Sequence, residues 1–176
     1  KLFIDLLAPM HSRIGLLMFQ FEYLNKEKMT SQLQFLERMA EFFSHVDSNI
    51  PMGVEIRNQN YLNKKYFEFL QQHNLGHVFL QGYYMPDITP FYQKYNDLLV
   101  QTTAIRLHGP DRSDIEARSG GNWNRIYEPK DEELTRITRI IENMNAKNLD
   151  VYVNVNNHYE GSAPLTIGKI QRALFT

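Results

Sequence analysis

Glu55 and Arg57 close a short apolar run, Gly53-Val54-Glu55-Ile56-Arg57. Arg106 and His108 close another, Ala104-Ile105-Arg106-Leu107-His108-Gly109, and Asn154 and Asn156 a third, Val151 to Asn157. Residues two apart on an extended strand share a face, so each pair points one way. The alternate residues Val54, Ile56, Ile105, Leu107, Val153 and Val155 would face covering helices. A glutamate serves as acid or base; a nearby arginine lowers its pKa and desolvation raises it. Histidine is the side chain suited to proton transfer near neutral pH, and arginine presents a fork to a carboxylate or phosphate. An asparagine amide both donates and accepts, which suits a substrate hydroxyl or phosphate oxygen. Glu55 and His108 are therefore the candidate catalytic residues. Arg57, Arg106, Asn156 and, on an earlier run, Gln20 are candidate substrate-binding residues. Each has a plainer alternative: a structural ion pair at Glu55 and Arg57, a core histidine at 108, a turn at Asn156. Asn157 suits a turn better than a ligand.

A stretch of about twenty residues, 109–129, carries Arg112, Arg118, Gly120, Gly121, Trp123, Arg125 and Tyr127 and reads as a loop. Trp123 and Tyr127 could cover a ligand and Arg125 could meet an anion; alternatively, Trp123 plugs the fold. A catalytic zinc needs about three protein ligands. Glu55 and His108 supply two and His158 offers a third, so no cofactor is expected, although further strands could add metal ligands. No glycine-rich phosphate loop follows any strand, and no serine nucleophile elbow appears.

Strand and helix patterns must position these groups. Buried-strand patterns lie at 14–21, 53–57, 78–81, 103–108 and 151–156. Helical periodicity covers 30–46, with Leu33, Leu36, Met39, Ala40 and Phe43 inward and Thr30 or Ser31 as cap. It covers 61–74, with Leu62, Tyr66, Phe69 and Leu70 inward and Asn74 as stop, and a shorter stretch at 91–99. It covers 131–146, opened by Pro129 and acidic Asp131, Glu132 and Glu133, and 163–175. Alternating strands and helices imply a parallel α/β sheet with right-handed crossovers. An open doubly wound sheet and part of an eight-stranded barrel both fit. A whole barrel usually takes about 250 residues, so five units suggest the last five of eight in one domain over 1–176.

The chain opens Lys1-Leu2-Phe3-Ile4-Asp5-Leu6 without an initiator Met, like the end of a helix already under way. The expectation is a preceding segment, or another chain, packed on the strand from Ile14 to Phe21. Hydrophobic residues make up 43% of the 176, enough for a core. No apolar run is long enough to span a membrane, and no signal-peptide pattern appears. Cysteine is absent, which removes disulfides and thiolate chemistry and fits a cytoplasmic protein. A net charge of −1 argues against broad attraction to nucleic acid or membrane.

Five motifs in order carry a family likeness: Phe19-Gln20-Phe21, Val54-Glu55-Ile56-Arg57, Ile105-Arg106-Leu107-His108-Gly109, Trp123 to Tyr127, and Asn156-Asn157 with Gly161 and Ala163. Together they resemble the YecE-like family of unknown function. The resemblance implies a TIM-barrel-like fold, with its first strands outside this chain, and no established activity. The chain departs from the family pattern at Glu22-Tyr23, where prolines are common. It departs again at Asn58-Gln59-Asn60-Tyr61, in place of a His-Pro-Ser-Trp-like stretch, and at Thr166, where Asn is common.

The functional expectation is an enzyme, a hydrolase or isomerase, acting on a small polar or anionic substrate at the carboxyl ends of the strands. The alternative is a non-catalytic module for nucleic acid or a phosphorylated ligand, with Trp123, Tyr127, Tyr83 and Tyr84 stacking bases.

Overall fold

The computed structural model describes residues 2–46, 50–109 and 112–175, without the side chains of Leu2 and Arg112. Lys1 and, within the stretch 109–129, residues 110 and 111 lie outside the described residues. The strands are β1 (Leu17–Phe21), β2 (Met52–Ile56), β3 (Leu75–Gln81), β4 (Thr102–Leu107) and β5 (Asp150–Val155). The helices are α1 (Leu2–Leu6), α2 (Gln32–Ser44), α3 (Lys64–Gln72), α4 (Ile88–Tyr95), α5 (Arg112–Ser119), α6 (Asp131–Ala146) and α7 (Ala163–Phe175).

The strands form one five-stranded sheet in the order β1-β2-β3-β4-β5. The pairings β1–β2 and β2–β3 are parallel. A sequential order means that every crossover steps the same way. A doubly wound sheet reverses at a switch point, so this is the winding of a barrel wall, left open. The central strands β2 and β3 are buried throughout, and β5 alternates between exposed and half-buried residues. Val151, Val153 and Val155 take the inward positions on β5 and Tyr152 and Asn154 the exposed ones, as period two requires.

Contacts divide the chain into two compact units. The first holds residues 1–78 and 95–103. Its core includes Phe35, Met39, Val54, Ile56, Tyr66, Phe67 and Leu70. Ser31 caps α2, its hydroxyl accepting from the Gln34 amide at 3.2 Å, and Asn63 caps α3, its side-chain Oδ1 accepting from the Tyr66 amide at 3.4 Å. Leu33, expected to face inward, is exposed; Phe35 and Met39 take the buried stripe with half-buried Leu36, Ala40 and Phe43. The reason is phase: Phe35, Phe42 and Phe43 lie against Phe19 and Phe21 of β1, and that aromatic contact sets the rotation of the helix. The helix expected over 61–74 starts later, because residues 59–61 form a 3-10 turn before α3. Asn74 follows it in left-handed backbone at φ 52°, a residue type that tolerates this stop.

The second unit holds residues 79–94 and 104–176. Its core includes Phe79, Ile105, Leu107, Ile115, Ile137, Ile141, Met144 and Tyr159. α6 and α7 occupy the ranges that the periodicity predicts. The stretch 109–129 differs from the expected loop, for it contains α5. That helix has almost no apolar stripe: among its described side chains Ile115 and Ser119 are buried, while Arg118 pairs with Asp114 one turn back. No helix among the described residues is long and apolar enough to cross a membrane.

Candidate functional site

In the first unit, the β1–β2 register places Gln20 opposite Glu55. Gln20 is exposed, whereas the Glu55 side chain has no solvent exposure. Arg57 Nε stands 3.5 Å from Glu55 Oε1, with its side chain one-third exposed. A buried carboxylate needs a compensating charge, and the residue one strand period further on supplies it. Beneath them the Tyr66 hydroxyl donates to the Val54 carbonyl at 3.4 Å and lies 3.3 Å from His77 Nδ1. Burial, then the negative charge of Glu55, pushes the Tyr66 phenol well above its ordinary value. Burial also pushes the His77 imidazole down to about 3, so it is neutral. Asn58 grips Leu24 from both sides, accepting from its amide at 2.8 Å and donating to its carbonyl at 2.9 Å. The departure from the family pattern at Asn58 thus braces the chain that follows β1.

In the second unit, backbone bonds extend the ladder past the strand ends. The His108 amide donates to Gln81 at 2.8 Å, and the Asn156 amide to Leu107 at 2.9 Å. His108 is buried and Arg106, on the same face of β4, is half-buried. Gly82 follows β3 at φ +104°, and a Cβ there would stand 2.1 Å from the His108 carbonyl oxygen. Tyr83 and Tyr84 continue in left-handed backbone at φ 53° and 60°. The Tyr83 ring lies 4.7 Å from the His108 ring, centre to centre.

Asn156 Oδ1 accepts from the His158 amide at 2.9 Å, and Asn157 Oδ1 from the Ala163 amide at 2.8 Å, which caps α7. The His158 ring meets Trp123 edge-on at 5.2 Å, and its Nε2 lies 3.5 Å from Glu116 Oε1 on α5. Arg125 lies over the Tyr127 ring at 4.5 Å. Tyr127 is itself pinned, its amide to the Glu160 carbonyl at 2.7 Å and its hydroxyl to the Ser119 carbonyl at 3.3 Å. Arg118 is neutralised by Asp114 and Glu128. The basic and aromatic residues of this stretch are therefore engaged with groups of the second unit: Arg118 with carboxylates, Trp123 with His158, and Arg125 with Tyr127.

Glu160, with no exposed side-chain surface, is a structural hub that the sequence reading did not single out. Its carboxylate accepts from Lys169 Nζ, the Lys130 amide and Thr166 Oγ1 at 2.7–2.9 Å. Thr166, another departure from the family pattern, thus holds a buried carboxylate. Glu116 was equally invisible in the sequence, because its meeting with His158 depends on how α5 packs. A cavity of about 390 Å³ between α6 and α7, lined by Leu134, Thr138, Lys169 and Ile170, carries none of the candidate residues. Among the described residues no group of three or more histidine and carboxylate side chains gathers as a metal site.

These features define an α/β protein with a parallel, sequentially wound sheet and polar side chains at the strand carboxyl ends. The chain belongs to the family described as protein of unknown function DUF72, the YecE-like family, whose model matches residues 1–176. A solved DUF72 family protein from Thermotoga maritima MSB8 is 18% identical with a TM-score of 0.70, over 99% of this chain and 64% of its own. Another from Enterococcus faecalis V583 is 18% identical with a TM-score of 0.67, over 99% of this chain and 64% of its own. The chain thus spans 64% of the length of these relatives, and the likeness shows the fold. No curated protein matches.

Proposed function

We propose that the protein is an enzyme acting on a small polar or anionic substrate by acid–base chemistry, with His108 moving the proton and Arg106 holding the anion. The carrying observation is backbone strain beside the histidine. Tyr83 and Tyr84 are consecutive non-glycine residues in left-handed backbone, and Tyr83 lays its ring on His108. Such a conformation costs about 1–2 kcal/mol per residue. It persists only where the surroundings enforce it, and such sites cluster where ligands are handled. A half-buried arginine two residues before the histidine, on the same strand face, supplies the fork that an anion needs.

Glu55 with Arg57 is the polar pair of the first unit, at the end of β2. We propose it as an acid–base carboxylate with an orienting cation, to be tested independently. Hydrolysis and isomerisation both fit this chemistry. The test is turnover of a panel of small phosphorylated and carboxylated compounds. His108→Gln is expected to lower kcat by about 10²–10⁴-fold. Arg106→Gln should act mainly on KM. Undiminished turnover in His108→Gln overturns the reading.

A further inference from the structure

We infer that His158 is a second proton-transfer residue in the second unit, with Glu116 as its positioning carboxylate. The inference rests on the acid–base reading of His108 and adds the partner that such chemistry requires. A reaction that takes a proton from one substrate atom and delivers one to another is served by two groups, one starting neutral and one protonated.

Three features place His158 for that role. Its backbone is fixed beside that of His108: the amide donates to Asn156 Oδ1 at 2.9 Å, and the carbonyl closes on Gly109, the residue after His108. Its side chain is 16% exposed, neither sealed in the core nor bathed in solvent. Glu116 Oε1 faces Nε2 at 3.5 Å, while Trp123 covers the ring edge-on at 5.2 Å. Glu116 facing Nε2 orients the ring, so Nδ1 is the nitrogen offered to a substrate. Catalytic contacts of this kind are often long before substrate binds and tighten afterwards.

The substrate class that fits is a small anion carrying an acidic C–H or O–H beside its charged group. One of the two imidazoles, in its neutral form, takes that proton, and the other, in its protonated form, gives one to the oxygen that gains charge. The number of protons on the pair is unchanged, and solvent restores both starting states.

The test is carbethoxylation of histidines by diethyl pyrocarbonate, mapped by peptide mass, on the whole chain with and without inorganic phosphate. At about 90% occupancy, phosphate is expected to slow modification of both His108 and His158 roughly tenfold. Glu116→Gln is expected to change the modification rate of His158, because Nε2 no longer faces the carboxylate that orients the ring; Glu116→Asp should keep the wild-type rate. Protection of His108 with none at His158 overturns the inference and leaves the His108 reading standing. Protection of neither removes the anion site and both readings with it. An unchanged His158 rate in Glu116→Gln removes Glu116 from the role assigned to it.

Discussion

Gly109 and His158 touch backbone to backbone: a Cβ on residue 109 would stand 1.8 Å from the His158 carbonyl oxygen and 2.6 Å from its carbonyl carbon. The segment after β4 and the turn after β5 therefore meet where only glycine fits. Gly109→Ala is expected to cost roughly 3 kcal/mol or more, because backbone must move. Gly121→Ala is the control: φ is +75°, but nothing lies within 4 Å of the added carbon. Its cost should be about 1 kcal/mol, the left-handed penalty alone. Thermal unfolding of the two variants checks this, and equal costs would contradict the close approach.

Lys169 compensates a carboxylate that has no solvent exposure, at 2.9 Å from Glu160 Oε1. Lys169→Met leaves that charge buried with two hydrogen bonds and no cation from α7. The expected loss is about 3 kcal/mol. Combining it with Glu160→Gln should recover part of the loss, since the uncompensated charge is then gone. Urea unfolding of the single and double variants measures the coupling, and simple additivity would contradict it.

His77 is buried with its imidazole pushed down to about 3 from 6.5. The unfolded chain binds this proton below about pH 6.5 and the folded chain does not, so stability is full above that pH and falls as pH drops toward 3. Between pH 7 and 5 the loss should approach about 2 kcal/mol, at 1.36 kcal/mol per pH unit below 6.5. Glu128 is held low by hydrogen bonds from Lys130 and Arg118, and that contribution is lost only in the carboxylate range below 4.5. His77→Gln should flatten the upper window in urea unfolding at the two pH values. A wild type equally stable at pH 7 and pH 5 would show that His77 takes up its proton without unfolding.

Arg57 stands beside fully buried Glu55 but is itself one-third exposed, so solvent weakens the pair. Arg57→Met is expected to cost about 2 kcal/mol, less than for a wholly buried pair. Adding Glu55→Gln should offset most of that. If Glu55→Gln alone also slows turnover with stability intact, the pair has a chemical role as well as a structural one.

Much of the fold was legible because its signals are local. The acidic first turn and apolar stripe of α6 gave its bounds, and the period-two alternation of polar and apolar residues gave the two faces of β5. What escaped depends on tertiary packing. Periodicity picked Leu33 for the core, but the aromatic contacts with β1 favour Phe35. α5 carries one deeply buried apolar residue, Ile115, so no stripe announces it. The left-handed backbone of Tyr83 and Tyr84 has no signature in residue type, since neither is a residue that favours it. His108 stood out by its place at a strand end. The pairing of His158 with Glu116 joins a turn to a helix about forty residues earlier, and no spacing rule predicts it.

The most direct measurement is a titration of inorganic phosphate into the labelled protein, followed through the histidine ring resonances by ¹H–¹⁵N correlation. The central claim is that His108 and Arg106 line an anion site at the end of β4. It predicts saturable shifts at the His108 ring that Arg106→Gln abolishes, with the exposed ring of His45 unmoved. Shifts that never saturate, that survive Arg106→Gln, or that appear equally at His45 would contradict it.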